Sequence, residues 1–166
     1  MGSRRRVWSI NPVNAAQIHL IRKSFASVDR QADVAALVFY RRLFELDPRL
    51  RPLFKTDIHE QGKKLTDMLA AALGLLERPA ELAGVLEDLG ARHAGYGTRP
   101  EHYATVRKAL LDMLLEVLGD AFSPALKEAW DELYDFIEAA MLRGAATSRL
   151  PADKGLPEIR SLREKY

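Results

Sequence analysis

The chain of 166 residues contains no cysteine. This absence excludes disulfide bonds, zinc–thiolate sites, iron–sulfur clusters and thiol catalysis. The sequence also has no apolar run approaching the roughly 20 residues of a membrane-spanning helix, and its N-terminus lacks the apolar core of a signal peptide. We therefore expect no membrane association. The lack of cysteine is compatible with a reducing compartment, and a cytoplasmic location is the expectation.

A surplus of charge of one sign is missing as well. The 25 basic and 23 acidic residues leave a formal net charge of +2 at pH 7, which is too balanced to predict nucleic-acid binding. Part of the surplus lies in Arg4–Arg6, which we interpret as belonging to a flexible N-terminal arm over residues 1–10. The length and the 48% of hydrophobic residues suit one domain with a sizeable core.

The apolar residues recur at intervals of three and four, which predicts helices rather than strands. Helix starts are indicated at Asn11-Pro12, Asp47-Pro48, Asp57, Pro79, Ser123-Pro124 and the capping box Thr98–Glu101. The predicted helices span residues 12–28, 31–46, 48–53, 58–76, 79–95, 99–118 and 123–145. Short helices joined by prolines favour an irregular all-α sandwich over an up-and-down bundle. Residues 11–147 form the predicted domain, and residues 148–166 form a C-terminal tail.

Polar side chains interrupt the apolar stripes of these helices at Tyr40, Gln61 and His93. Burying a polar group without a partner costs about 1–3 kcal/mol. Three such groups on inward faces therefore suggest that something polar lies between them. Singly, each has a plainer interpretation as a satisfied core histidine, a tyrosine with its hydroxyl at the core's edge, or a glutamine at a stripe's border. The neighbours expected to be buried on these stripes include Leu37, Leu65, Leu69 and Tyr96.

The three polar residues supply the groups that a haem site needs. His93 offers a nitrogen ligand for one face of the iron. Oxygen bound on the other face takes on partial negative charge and gains from hydrogen-bond donors. Tyr40 offers a hydroxyl and Gln61 an amide for that purpose. Periodicity alone leaves open whether these donors face His93 across a cofactor.

The segments around these residues resemble the globin family, and specifically the prokaryotic single-domain globins related to flavohaemoglobins. Residues 89–103, LGARHAGYGTRPEHY, resemble the proximal histidine segment and the start of the following helix. The other matching segments are Val38–Tyr40 for the distal tyrosine, Leu53-Phe54 for the corner that packs on haem, Gln61–Leu65 for the distal glutamine, and Trp130 with Tyr134 for the last helix. The resemblance implies an all-α globin fold, a three-over-three helical sandwich, here with an extended C-terminal tail.

The resemblance also implies haem b as the cofactor and assigns roles to individual residues. His93 is implied to ligate iron through Nε2, with its Nδ1–H donated to the carbonyl of Leu89. Tyr40 and Gln61 are implied to donate to bound oxygen. The other implied haem-binding residues are Phe54, Leu65, Leu69, Tyr103 and Val106, with Lys64 and Arg92 as propionate partners. For these two cations, a merely solvated side chain is an equally good interpretation.

The chain departs from the flavohaemoglobin pattern on the proximal side. Flavohaemoglobins carry a glutamate late in the last helix, joined through a tyrosine to the proximal histidine. Here the tyrosine matches Tyr103, whereas the glutamate's position falls on Ala145, and Glu138 comes nearly two turns too early. This departure argues against strong activation of oxygen. We expect no reductase domain after residue 166, so turnover is expected to need a separate reductase.

Three functional hypotheses follow. The preferred one is a haem protein, monomeric or weakly dimeric, that reversibly binds O2, NO and CO with high O2 affinity. The alternative is a nitric oxide dioxygenase that converts NO to nitrate. The third is a helical sensor or interaction module that buries His93 without haem. The resting iron could also take Tyr40, Lys64 or His59 as a sixth ligand, and His59 is the second choice of distal residue. Neither His19 nor His59 is expected to be buried.

Overall fold

The computed structural model describes residues 11–147, and every regular element in this range is helical. The elements are α1 (Ala15–Asp29), α2 (Ala32–Leu46), a 3-10 helix (Pro48–Leu53), α3 (Ile58–Gly74), α4 (Pro79–Gly95), α5 (His102–Leu118), a 3-10 turn (Gly119–Ala121) and α6 (Pro124–Thr147). The expected N-terminal arm over residues 1–10 and C-terminal tail over 148–166 lie outside the described residues. Within 11–147, the helices are too short or too polar to cross a membrane.

The helices pack in two layers, which confirms the predicted all-α sandwich. Helices α1, α5 and α6 contact one another, while α2 and α3 pack together in the other layer. The layers are joined where α2 lies on α5 and where α4 lies on α6. Helices α3 and α4 are not among the helix pairs that pack closely in residues 11–147. Helix α3 therefore packs on α2 and helix α4 packs on α6, and the two are not held by close packing on each other.

The start of α1 differs from the prediction because a better cap lies further along the chain. The helix begins after Asn14, not at Asn11-Pro12. The Asn14 side chain accepts a hydrogen bond from the Gln17 N–H at 2.8 Å, and the Gln17 side chain accepts one from the Asn14 N–H at 3.0 Å. This reciprocal pair satisfies two N–H groups that would otherwise lack partners at the helix end.

The predicted capping box at Thr98–Glu101 is wrong. The backbone N–H of Thr98 donates to the carbonyl of His93 at 3.0 Å, so Thr98 closes α4 instead of opening α5. The chain then makes a tight turn in which the His102 N–H donates to the Arg99 carbonyl, also at 3.0 Å. Helix α5 consequently starts at His102, and Glu101 precedes it without a side-chain cap. The starts at Asp47 and Ser123 are confirmed by their side-chain hydrogen bonds to Arg49 and Leu126.

The core of the α1–α6 contact is organised by a buried polar pair. Trp130 is 1% exposed, and its indole Nε1–H donates to the Ser24 hydroxyl at 3.0 Å. Ser24 in turn donates to the carbonyl of Ile21 at 2.8 Å. Both polar groups are therefore satisfied, which a buried indole N–H requires. The pair fixes the register of α6 on α1.

The buried face of α2 is rotated from the predicted one. Leu37 is 61% exposed, which corrects its assignment to the core. The buried residues are Ala35, Ala36, Phe39, Tyr40 and Leu43. Because successive helical residues are separated by about 100°, a face centred between positions 36 and 40 turns Leu37 outward. Tyr40 stays on the inward face.

Three glycines allow helices to approach at backbone distance. A Cβ built on Gly62 of α3 would lie 2.5 Å from the Cβ of Ala36 in α2. One on Gly90 of α4 would lie 1.9 Å from the carbonyl oxygen of Met141, and one on Gly144 of α6 would lie 1.8 Å from that of Glu87. The latter two contacts are with backbone, which cannot rotate away. The α4–α6 crossing therefore requires glycine on both helices.

We expect Gly90→Ala to destabilise the protein although alanine is the better helix former. The added methyl group must push α4 away from α6, and overpacking of this kind costs about 1–3 kcal/mol. Gly84, in the same helix, is the matched control because a Cβ there meets nothing within 4 Å. Gly84→Ala should stabilise by up to about 1 kcal/mol. Urea unfolding measures both, and equal stability of the two variants would contradict the close crossing.

Candidate functional site

The walls of the candidate site are apolar side chains that are only partly buried. Phe54, Leu65, Leu69, Leu89 and Val106 all pack against the core while keeping some exposed surface. They come from the end of the 3-10 helix, from α3, from α4 and from α5. These partly exposed apolar side chains lie on and around α3 and α4, two helices that do not pack closely together. They are suited to contacting an apolar group held between α3 and α4.

His93 lies in the last turn of α4 with its imidazole held in one orientation. Nδ1 is 2.9 Å from the carbonyl oxygen of Leu89, one turn earlier, as the sequence led us to expect. Because a carbonyl can only accept, Nδ1 carries the proton and Nε2 keeps its lone pair. Burial lowers the pKa of His93, opposed in part by the hydrogen bond to Leu89. The side chain is therefore a neutral imidazole with Nε2 available to a metal.

Tyr40 is fixed by an aromatic cluster made of Phe39, Tyr40, Phe44 and Phe54. Its ring centroid lies 5.0 Å from that of Phe39 and 5.3 Å from that of Phe54, both edge-on. Phe44 stacks beside it at 6.0 Å. Edge-to-face and offset contacts of this kind are the favourable aromatic geometries. The ring is thus positioned by packing, independently of its hydroxyl.

The Tyr40 hydroxyl is a donor without a protein partner. The residue is 4% exposed, and among residues 11–147 its hydroxyl makes no hydrogen bond. Burial alone raises its pKa well above the ordinary value, so the group is a neutral O–H. Such a group is suited to donating to something the protein binds.

Gln61 lies on α3 in a half-buried position, one turn before Leu65. Its side-chain Nε2–H donates a hydrogen bond to the hydroxyl of Thr56 in the segment before α3. The amide therefore has a protein partner, unlike the Tyr40 hydroxyl. Sequence reasoning missed Thr56, because nothing in the local pattern marks a single threonine before a helix as a partner for a side chain five residues on.

The two predicted propionate partners occupy different settings. Lys64 is exposed on α3, and Arg92 is half-buried beside His93 on α4. Neither side chain has an ion-pair or hydrogen-bond partner among residues 11–147. Many other cations are paired, as Arg41 is with Glu116 at 2.6 Å. Unpaired cations on both flanking helices are suited to carboxylates of a bound group.

Tyr103 is the second residue of α5 and is 6% exposed. Its carbonyl accepts a hydrogen bond from the Tyr134 hydroxyl at 2.7 Å, which ties α5 to α6. Burial raises the pKa of Tyr103, and the negative charge of Glu138 raises it further. Both effects keep the Tyr103 hydroxyl protonated.

Glu138 lies on the same face of α6 as Ala145, about two turns earlier. Its carboxylate is engaged by Arg107, with Nη2 3.1 Å from Oε2. The guanidinium also stacks 4.7 Å above the Tyr134 ring. Arg107 also pairs with Asp131 and Asp135, so Glu138 shares this one cation with two other carboxylates. The later position holds the apolar Ala145.

The remaining histidines do not join this site. His59 is on the exposed side of α3, with its Nε2 3.9 Å from a carboxylate oxygen of Asp33. His19 is exposed, as predicted. His102 accepts a hydrogen bond through Nδ1 from the Arg99 N–H at 3.0 Å. Tyr96, predicted to continue the buried stripe of α4, is 57% exposed because α4 ends before it.

Taken together, the residues present fit a haem. Within residues 11–147, they provide a neutral imidazole with a free Nε2, partly exposed apolar walls, a buried tyrosine whose hydroxyl makes no hydrogen bond, and unpaired cations on the flanking helices. The Globin family model matches residues 37–141, which contain all of these elements.

The chain belongs to the globin family. It is 32% identical over 141 residues to neuroglobin of Tetraodon nigroviridis, an alignment that covers 76% of this chain and 89% of the relative. It is also 33% identical over 123 residues to a flavohemoprotein of Xylella fastidiosa. That alignment covers 72% of this globin but only 31% of the longer relative.

A solved structure shows the same fold. An engineered carbene transferase from Rhodothermus marinus, provisionally assigned as a nitric oxide dioxygenase, superposes with a TM-score of 0.71 at 28% identity. The superposition covers 81% of this chain and 94% of the other. The predicted globin fold is thereby confirmed, and membership of the family implies haem binding.

Proposed function

We propose that this globin reversibly binds O2, and also NO and CO, at a haem b held by His93. The observation that carries the proposal is the imidazole of His93, whose Nδ1 is fixed by Leu89 and whose Nε2 is free. A haem between α3 and α4 would supply an iron with one face for His93 and the other for a diatomic ligand. The absence of cysteine rules out thioether attachment, which supports non-covalent haem b.

Tyr40 is proposed as the main donor to the ligand. Its ring is fixed by packing and its hydroxyl has no partner to give up among residues 11–147. Hydrogen bonds to charged acceptors contribute about 1.5–3 kcal/mol, so one such bond slows ligand release appreciably. Phe54, Leu65, Leu69 and Val106 would exclude water, which strengthens that bond. The outcome is tight binding, suited to scavenging more than to bulk delivery.

The proximal side supports binding over oxygen activation. The Nδ1–H of His93 is donated to a neutral carbonyl, and Glu138 is held in an ion pair by Arg107. A carboxylate partner makes a histidine ligand more basic than a carbonyl partner does. His93 is therefore a moderate electron donor, as reversible binding requires.

Absorption spectra of the purified protein test this proposal. The ferric and ferrous forms should each show a strong Soret band, and the ferrous band should shift when CO is added. The ferrous spectrum also shows whether the iron is five- or six-coordinate. A protein without a Soret band after reconstitution with haem would reject the proposal and leave a helical sensor or interaction module as the better hypothesis.

Nitric oxide dioxygenase activity is the second candidate. It is supported by the likeness to flavohemoproteins and to the R. marinus protein. Sustained nitrate formation would need electrons from a reductase. We therefore propose to measure NO consumption by the O2-loaded protein, first in a single turnover and then with reductant and a cytoplasmic extract. Fast re-reduction in the extract supports catalysis, whereas a single turnover alone supports reversible binding. We also propose that the protein is cytoplasmic and monomeric or weakly dimeric.

A further inference from the structure

We propose that Thr56 is a positioning residue that holds the Gln61 amide away from the ligand. The hydrogen bond from Gln61 Nε2 to the Thr56 hydroxyl joins α3 to the segment that precedes it. This inference rests on the proposed function, because it assigns Gln61 a state in which it does not donate to the ligand.

The positions of the two residues show toward which end of α3 the amide is held. Helical side chains lean toward the N-terminus of their helix, and Thr56 lies just before the first residue of α3. Thr56 is exposed and Gln61 is half-buried. The bond therefore draws the amide toward the N-terminal, solvent-exposed end of α3.

The two distal donors consequently differ in what ligand binding requires of them. Tyr40 is buried and makes no hydrogen bond within residues 11–147, so it donates at no cost. The Gln61 amide must first move from the position in which Thr56 holds it. The amide nitrogen has a second N–H, but the Thr56 bond holds that nitrogen toward the exposed end of α3. The Thr56 hydroxyl therefore weakens any contribution of Gln61 to ligand affinity through its position. Affinity is then set by Tyr40 while the Thr56–Gln61 bond is intact.

Thr56→Val tests this positioning role because valine keeps the shape of the threonine side chain and removes its hydroxyl. The freed amide should slow O2 release by about three- to tenfold, the effect of one hydrogen bond of ordinary strength. The stretching band of bound CO should shift in the direction of a more polar environment. The Gln61 side-chain amide resonances should move in the 1H–15N spectrum, which reports loss of the Thr56 bond independently of ligand kinetics.

Matched variants separate positioning from a structural role. Thr56→Ser retains the hydroxyl and should behave as the wild type. In a Gln61→Leu background, Thr56→Val should leave the O2 release rate unchanged.

Unchanged or faster release in Thr56→Val, or slower release that persists without Gln61, overturns the inference while leaving the proposed function standing. A wild-type protein that takes up no haem overturns the proposed function and with it this role of Thr56. The two failures are distinguished by the Soret band.

Discussion

Replacing His93 with alanine should abolish the Soret band of the purified protein or reduce it to weakly bound haem. His93 is the one histidine of residues 11–147 that lies among the apolar residues of the candidate site with a free Nε2. Its neutral state follows from burial, which lowers its pKa, so no proton competes for Nε2 near neutral pH. Loss of this nitrogen leaves only apolar contacts and the cations Lys64 and Arg92 to hold the cofactor.

The experiment compares visible spectra of wild type, His93→Ala and His59→Ala, each reconstituted with haem. His59 is exposed, and its removal should leave the spectrum unchanged. Added imidazole should restore a Soret band to the alanine variant, because the free base can occupy the space of the lost side chain. Circular dichroism confirms that the helices persist. A Soret band of wild-type intensity in His93→Ala without imidazole would refute the assignment of His93.

Replacing Tyr40 with phenylalanine should raise the dissociation rate of O2 at least about tenfold. The substitution removes only the hydroxyl, since the aromatic contacts with Phe39, Phe44 and Phe54 remain available. It should leave the free energy of unfolding nearly unchanged, because the hydroxyl makes no hydrogen bond in the described part of the chain. Lower ligand affinity with nearly equal stability is the signature of a functional donor.

Stopped-flow displacement of O2 by CO measures the rate, and urea unfolding measures the stability. Phe44→Leu is the control, because it disturbs packing around Tyr40 while the hydroxyl stays. Its effect on the dissociation rate should be the smaller of the two. An unchanged rate in Tyr40→Phe would show that Tyr40 is not the donor.

Helix content and most helix positions could be predicted from the sequence because they depend on local signals. Pro79 and Ser123 lie where α4 and α6 begin. The signal at Thr98 failed because its backbone N–H is used by the carbonyl of His93. A cap is decided by which acceptor is nearest in space, and a motif does not contain that information.

The apolar helix faces and the globin-like segments also identified His93, Tyr40 and Gln61 as the residues around which a site could form. They did not show that Gln61 has a partner in Thr56 or that Glu138 is ion-paired with Arg107. Hydrogen bonds and ion pairs between segments form or break with changes of a few tenths of an ångström in the distance between two atoms. Such distances are set by packing of whole helices, not by spacing along one.

By itself, the sequence determined that this protein is all-α, that cysteine chemistry is absent, and that a histidine, a tyrosine and a glutamine interrupt apolar helix faces. Only the tertiary structure decided which of these groups is free to bind. Nδ1 of His93 is committed and Nε2 is not, and the Tyr40 hydroxyl has no partner within residues 11–147 while the Gln61 amide has one. The physical reason is that availability depends on every neighbour that competes for a group, and those neighbours come from elsewhere in the chain.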